Sequence, residues 1–213
     1  NVKISPSVLS VDIDKIGDAV KDLEKFGASY VHCDCLDGVF APNVSDGIRM
    51  VKICKANSNL PLDVHLMIMN PDKYIEDYIS AGADIITFHE SACTKTAETL
   101  DFIHSFGKKA GLVLNPDVDL NTVIPYLDKV DVIMLMGVFP GFSGQKFIPQ
   151  TMDRVSQLKK IIGNRNILIE VDGGVKANNI RELVERGCNI CVGGSSVFNA
   201  PSIKEGLDAL LNA

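Results

Sequence analysis

The stretch Tyr30-Val31-His32-Cys33-Asp34-Cys35-Leu36-Asp37-Gly38 sets an imidazole and a carboxylate two residues apart inside an apolar run. Read as a strand, its period-two alternation points His32 and Asp34 to one face and Cys33 and Cys35 to the other. Leu62-Asp63-Val64-His65-Leu66-Met67 repeats the device, with His65 ending a second short strand. A third case is Ile167-Leu168-Ile169-Glu170-Val171-Asp172-Gly173-Gly174, where Asp172 stands just before a glycine pair. A buried His or Asp is costly unless it is paired or metal-bound, so three such strand ends ask for a common explanation. The simplest is that they converge on one ion.

Outward from these segments, short apolar strands alternate with helical stretches along the whole chain. Strands are expected at Lys3–Val8, Tyr30–Asp34, Leu62–His65, Ile85–His89, Ala110–Leu114, Val132–Met136, Ile167–Val171 and Ile190–Val192. Helical patterns occupy Ile13–Phe26, Tyr74–Ser80, Thr96–Phe106, Thr151–Ile162 and Asn179–Arg186. Asn70-Pro71 reads as an N-cap followed by proline at the first helical position. Gly27, Gly82, Gly107 and Gly187 each close a helical run before a strand, as C-terminal capping glycines do. The segments Phe26-Gly27-Ala28-Ser29, Ala81-Gly82-Ala83-Asp84 and Arg186-Gly187-Cys188-Asn189 echo one another, which fits a repeated strand–helix unit. Such alternation implies a parallel sheet, and about eight units imply a closed (β/α)8 TIM barrel in the α/β class. An open doubly wound sheet is the alternative, and it gathers the polar strand ends at one centre less naturally. No linker or composition break divides residues 1–213, so a single domain is expected. In such a barrel the chemistry sits at the C-terminal strand ends, where His32, Asp34, His65 and Asp172 all fall.

Composition narrows the partners. The chain has 213 residues, 46% of them hydrophobic, enough for one sizeable core. A net charge of -6 argues against a nucleic-acid surface. No apolar run approaches the ~20 residues needed to span a bilayer. The opening Asn1-Val2-Lys3-Ile4-Ser5-Pro6-Ser7 lacks the basic and apolar regions of a signal peptide, and the expectation is a cytoplasmic protein without nucleic-acid or membrane partners. Six cysteines could pair or, through Cys33-x-Cys35 and Cys188-x-x-Cys191, build a four-thiolate zinc site. Because Cys33 and Cys35 alternate away from His32 and Asp34, buried reduced thiols are the better reading.

Two imidazoles and two carboxylates form a mixed N/O set that suits zinc, ferrous iron, manganese or cobalt, and spacing does not choose among them. Any one of the four could be a strand-end residue bonded to backbone; all four ending strands of one barrel favour a site. Glycine-rich turns follow the last three strands: Gly137 to Gly144, Gly173-Gly174, and Gly193-Gly194 before Ser195. Glycines let backbone N–H groups approach an anion, and a short helix opening at Ser195 would add its dipole. Barrels often bind phosphate in the loops after strands seven and eight. An ion flanked by carboxylates and a phosphate clamp fits proton abstraction beside a ketone, and two aspartates on opposite sides of the substrate would allow epimerisation.

The chain resembles the ribulose-phosphate 3-epimerase family over nearly its whole length. The matching segments are Ser5-Pro6-Ser7-Val8-Leu9-Ser10, His32-x-Asp34-x-x-Asp37-Gly38, Pro42-Asn43, Leu62 to Met67, Pro140-Gly141-Phe142-x-Gly144-Gln145-Lys146-Phe147, and Glu170 to Gly174. The resemblance implies one divalent metal held by His32, Asp34, His65 and Asp172, with Asp34 and Asp172 exchanging acid and base roles. It implies that D-ribulose 5-phosphate and D-xylulose 5-phosphate are interconverted at carbon 3. Ser7, His65 and Asp172 would contact the sugar, while Gly141, Phe142, Ser143, Gly144, Gly173, Gly174, Gly194 and Ser195 would surround the phosphate. A homo-oligomer is left open. Departures from the family pattern fall at Leu36 (usually methionine), Gly137 (commonly a hydroxyl residue), Phe139 (commonly polar), Ser143 (a glycine) and the adjacent pair His89-Glu90, usually separated by one residue. They bear on which sugar is bound.

Rival readings are an epimerase for D-allulose 6-phosphate, a lyase on a related barrel, and a non-catalytic sugar-phosphate-binding protein. Related decarboxylases carry Asp-x-Lys-x-x-Asp; here Lys15 and Asp18 lack the first aspartate, because position 13 is Ile. Of the remaining candidates, His89 ends a strand and either faces the site or packs in a loop. His104 reads as a surface or helix-packing residue, Met134 and Met136 as core, and the Lys108-Lys109 and Lys159-Lys160 pairs as solvated helix ends.

Overall fold

The computed structural model describes residues 2–213. Eight strands, β1 (Lys3–Pro6), β2 (Val31–Leu36), β3 (Leu62–Met67), β4 (Ile85–His89), β5 (Lys109–Leu114), β6 (Val132–Met136), β7 (Leu168–Asp172) and β8 (Ile190–Gly193), pair in parallel in the order β1-β8-β7-β6-β5-β4-β3-β2. The two ends meet through a parallel bridge between Ser7 and His32 and the bonds Val8 N–H to His32 O (3.1 Å) and Ser29 N–H to Ile4 O (2.9 Å). The sheet is thus a closed (β/α)8 barrel.

Alternation sorts each strand into two faces. Cys33, Cys35, Val64, Leu66, Ile86, Phe88, Leu112, Ile133, Leu135, Ile169, Val171 and Cys191 pack outward into the main core under the helices. The inward residues stack in tiers drawn from alternate strands. Tyr30, Ile85, Val132 and Ile190, at the even-numbered strands, close the floor with an apolar tier. The tier above comes from odd-numbered strands and is polar: Ser5, Asp63 and Glu170, all fully buried, with Gly111 in the fourth place. His32 stands over it. The site is therefore supported from inside the barrel by polar side chains rather than by hydrocarbon.

Helices α1 (Ile16–Lys25), α2 (Gly47–Asn57), α3 (Ile75–Ala81), α4 (Thr96–Ser105), α5 (Thr151–Ile162), α6 (Ile180–Arg186), α7 (Ser195–Phe198) and α8 (Ile203–Leu211) complete the barrel. In α1, Ile16, Ala19, Val20 and Leu23 are buried, the i, i+3, i+4, i+7 stripe of an amphipathic helix. Expected and observed bounds differ in places. The run Ile13–Phe26 opens with a 3-10 turn at Ile13–Lys15, and the β5–β6 crossover is a 3-10 segment, Leu120–Tyr126, containing Pro125. A proline there has no N–H to give to an α-helical ladder. Strand β1 stops at Pro6, two residues early, while β2 and β3 run two residues further, to Leu36 and Met67. Helices α2 and α8 were not expected. Their caps explain them: Asp46 accepts from Arg49 N–H, and Ser202 from Glu205 N–H at 3.1 Å.

The capping glycines Gly27, Gly82, Gly107 and Gly187 all adopt positive φ. Asn70 does precede a helical turn with Pro71 at its first position, but its side chain makes no capping bond. Lys109 is the first residue of β5 rather than part of a helix end. Cysteines are free and buried, with Cys33 Sγ 3.9 Å from Cys54 Sγ and Cys188 Sγ 3.6 Å from Cys191 Sγ. Among the described residues none joins a cluster of three ligand atoms, so the thiolate zinc alternative finds no support. No described helix is long and apolar enough to cross a membrane.

Candidate active site

Strands β2, β3 and β7 deliver His32, Asp34, His65 and Asp172 to one point at the C-terminal mouth, with one ligand atom from each lying within 4.8 Å of the others. His32 Nε2 lies 3.0 Å from Asp34 Oδ1 and 3.3 Å from Asp172 Oδ2. From the other side, His65 Nδ1 lies 3.1 Å from Asp34 Oδ1 and 3.3 Å from Asp172 Oδ2. Two nitrogens and two oxygens therefore face a common centre. This donor set and spacing fit a divalent ion.

The electrostatics agree. Burial alone would lower the pKa of His32, but Asp34, Asp63 and Asp172 outweigh it and hold the ring well above the usual histidine range. Burial likewise pulls His65 down, and bonds to Asp172 and Asp34 overcome it and raise the ring above its usual value. Against its own burial, Asp34 is held far below the usual carboxylate range by His32 and His65.

Beneath the cluster, His32 Nδ1 lies 2.8 Å from Asp63 Oδ2, which also accepts from Ser5 Oγ at 2.9 Å. Burial and the charge of Asp63 push Glu170 well above the usual carboxylate range. Despite burial, His32, Glu170 and Ser5 bring Asp63 down to about 2. Asp63 Oδ1 and both Glu170 oxygens have no conventional donor among the described residues, and a Glu170 proton directed at Asp63 resolves that pair. Above the cluster, Ser7 Oγ donates to Asp34 Oδ2 at 2.5 Å. His65 Nε2 lies 2.9 Å from His89 Nε2, and burial followed by the charge of His65 pushes His89 well below the usual histidine range.

A cavity beside Asp34 and Asp172 is lined by Ser7, Gly141, Phe142, Ser143, Gly144, Gly173, Gly174, Gly194 and Ser195, so the site residues read from the sequence lie around one space or in the ligand cluster next to it. Gly173 and Gly174 are required as glycines: their φ values are 107° and 71°, and a Cβ at Gly174 would fall 2.7 Å from Phe147 Cα. The loop after β6 is tied over the cavity by Asn43 Nδ2–H to Gly141 O (2.8 Å) and by Gln145 Nε2–H to Phe139 O (2.8 Å). A short helix does open at Ser195.

The departures have local reasons. A Cβ at Gly137 would sit 2.4 Å from Gly173 O, so no hydroxyl residue fits there without movement. Leu36 is buried with Leu9, Phe40, Ala41 and Met67 in an apolar cluster at the barrel rim. Phe139 is half exposed at the cavity mouth. Glu90 opens a 3-10 turn directly after β4, which leaves His89 inside the barrel. His104 binds Asp131 Oδ2 at 2.7 Å, and Lys15 is exposed, both away from the cavity. Met134 is interior and Met136 lines the cavity. The supporting residues Ser5, Asp63 and Glu170 were not anticipated, although alternation alone puts Asp63 on the face of His65 and Glu170 on that of Asp172.

Two carboxylates that face one candidate ion-binding centre beside a glycine-lined cavity suit proton transfer at a sugar carbon, the chemistry of the epimerase class. Comparison with known proteins narrows it. Residues 3–198 match the family model described as ribulose-phosphate 3 epimerase. Ribulose-phosphate 3-epimerase from Synechocystis is 41% identical, covering 100% of this chain and 94% of its own. The Bacillus subtilis enzyme of that name is 40% identical over 98% of both chains. Solved 3-hexulose-6-phosphate synthase superposes with a TM-score of 0.75 at 15% identity over 98% of both chains. Orotidine 5'-phosphate decarboxylase from Pyrococcus horikoshii gives 0.73 at 11% over 99% of this chain and 100% of its own; these two likenesses show the fold alone. The chain belongs to the ribulose-phosphate 3-epimerase family.

Proposed function

We propose that this site interconverts D-ribulose 5-phosphate and D-xylulose 5-phosphate, with Asp34 and Asp172 as alternating base and acid. The observation that carries the reading is the approach of both carboxylates, from β2 and β7, to one centre beside the glycine-lined cavity. His32, Asp34, His65 and Asp172 would hold a divalent ion, with zinc, ferrous iron, manganese and cobalt all suited to the set. When bound, such an ion polarises the substrate carbonyl and offsets the charge of the enediolate.

The chain's own residues do the proton work. One aspartate, ionised, takes the proton from carbon 3, leaving its electron pair in the enediolate. The other, protonated, returns one to the opposite face, so atoms balance and the two aspartates end with exchanged roles. Ser7 holds Asp34 through Oδ2 and lines the same cavity, where the sugar hydroxyls would lie. Backbone N–H groups of Gly141 to Gly144, Gly173, Gly174, Gly194 and Ser195 surround the phosphate in this reading. Residues 1–213 act as one barrel domain. A cytoplasmic enzyme without nucleic-acid or membrane partners, open to assembly as a homo-oligomer, is the setting this reading assigns.

The deciding experiment offers ribulose, ribulose 5-phosphate and allulose 6-phosphate to the metal-loaded protein in deuterated water. Ribulose 5-phosphate should give xylulose 5-phosphate carrying deuterium at carbon 3, with catalytic efficiency several orders of magnitude above that on free ribulose. Equal activity on ribulose would overturn the phosphate clamp, and a clear advantage for allulose 6-phosphate would move the assignment to the hexose.

A further inference from the structure

His65 and His89 meet inside the barrel mouth, both buried, with their Nε2 atoms 2.9 Å apart. Two imidazole nitrogens at that distance bond only if one carries hydrogen and the other does not. His65 Nδ1, across the ring, is the atom that faces Asp34 and Asp172. If Nδ1 gives its lone pair to a cation, the hydrogen of neutral His65 must sit on Nε2. His89 Nε2 is then the acceptor, and the hydrogen of neutral His89 lies on Nδ1.

We propose that His89 is a positioning residue of the metal centre: it accepts the His65 Nε2–H and fixes the tautomer in which His65 Nδ1 is free to ligate. The assignment rests on the metal reading of His65 given above. Ligating histidines as a rule donate their second N–H to an outer partner. His32 has Asp63 in that place at 2.8 Å; His65 has no carboxylate there, and His89 fills the role. The backbone holds His89 as the last residue of β4, and Phe40 lies against its ring with centroids 4.5 Å apart. A neutral acceptor orients His65 without adding a third charge to the two ligating aspartates.

The test needs no assumption about turnover. In zinc-loaded, 15N-histidine wild-type protein, long-range proton–nitrogen correlation should show hydrogen on His65 Nε2 and on His89 Nδ1. Cobalt(II) titration of metal-free protein should show His89→Leu binding about 10–100-fold more weakly than wild type, by the usual effect of losing an outer partner. His89→Gln, which offers an amide oxygen in the same place, should recover most of that loss. Hydrogen on His89 Nε2 in the loaded protein would overturn the assignment. So would cobalt binding by His89→Leu as tight as wild type, or His89→Gln no better than His89→Leu. Wild type that takes up no cobalt would defeat the metal reading instead, and the correlation spectrum decides the matter even if the leucine variant does not fold.

Discussion

His32 and Asp63 are joined at 2.8 Å through Nδ1 and Oδ2, on the side of the ring turned away from the ligand cluster. The bond fixes which nitrogen of His32 looks upward, and Asp63 is itself held by Ser5. Asp63→Ala should therefore weaken metal binding about 10–100-fold although it removes no ligand, while Asp63→Asn, which keeps one acceptor, should weaken it less. Cobalt titration measures both, and equal affinities across the series would refute the role.

His32→Ala and His65→Ala each remove from the cluster a nitrogen that faces its common centre. Both variants should lose stoichiometric metal while keeping the barrel, because the outward core of the strands is untouched. Metal analysis after reconstitution, paired with circular dichroism, reads the two effects separately. Undiminished metal in both variants would sink the assignment of the ligand set.

For the aspartates the expectation is loss of net turnover without loss of all chemistry. Asp34→Asn and Asp172→Asn should each lower epimerisation by at least about 10²–10⁴-fold, the usual contribution of an acid–base group. One of them should still exchange the carbon 3 proton with deuterated water at the carboxylate it retains. Near-normal turnover in both would rule out the two-base scheme.

Metal uptake should strengthen as pH rises. In the metal-free protein both His32 and His65 have raised pKa values, so each keeps its proton above the ordinary histidine value of about 6.5. The stability these protonated rings lend the empty site is complete below that value and fades as pH climbs through the raised ones. A cation requires the rings neutral, so binding must expel those protons. Calorimetry in buffers of differing ionisation enthalpy should show proton release, and affinity that falls with rising pH near neutrality would contradict it.

Gly174→Ala tests the clamp. The substitution meets both a φ of 71° and the Phe147 backbone, so the turn must shift where phosphate would sit. KM for the phosphorylated ketose should rise by about tenfold or more, as expected when one or two charge-assisted bonds are lost, while metal stoichiometry stays unchanged. Steady-state kinetics with a metal assay distinguishes this from general damage.

The barrel and the convergence of His32, Asp34, His65 and Asp172 were legible because polar residues interrupt apolar strands at period two, and because glycines close the helices. What stayed hidden follows from the same signals. Asp63 and Glu170 obey the alternation as plainly as His65 and Asp172, but nothing local shows that they lie one tier deeper, on the Nδ1 side of His32. Helix α8 bears a Ser202-x-x-Glu205 start, and its Ser202 cap forms. The β5–β6 crossover, by contrast, has Leu120, Val123 and Leu127 buried at i, i+3 and i+7, but Pro125 inside it goes with a 3-10 segment rather than an α-helix. His89 was ambiguous because its meaning depends on a partner 24 positions away.

The polar tier of Ser5, Asp63 and Glu170 has a consequence for anyone who would improve this molecule. Well-packed hydrocarbon often replaces a buried ionic group with no loss, or even a gain, of stability. A selection that rewards heat resistance alone would therefore drift toward Val, Ile or Leu at these three positions. The survivors would be sturdier barrels with a poorly oriented His32 and a weakened grip on an ion, so a thermostability campaign here must screen for metal at every round.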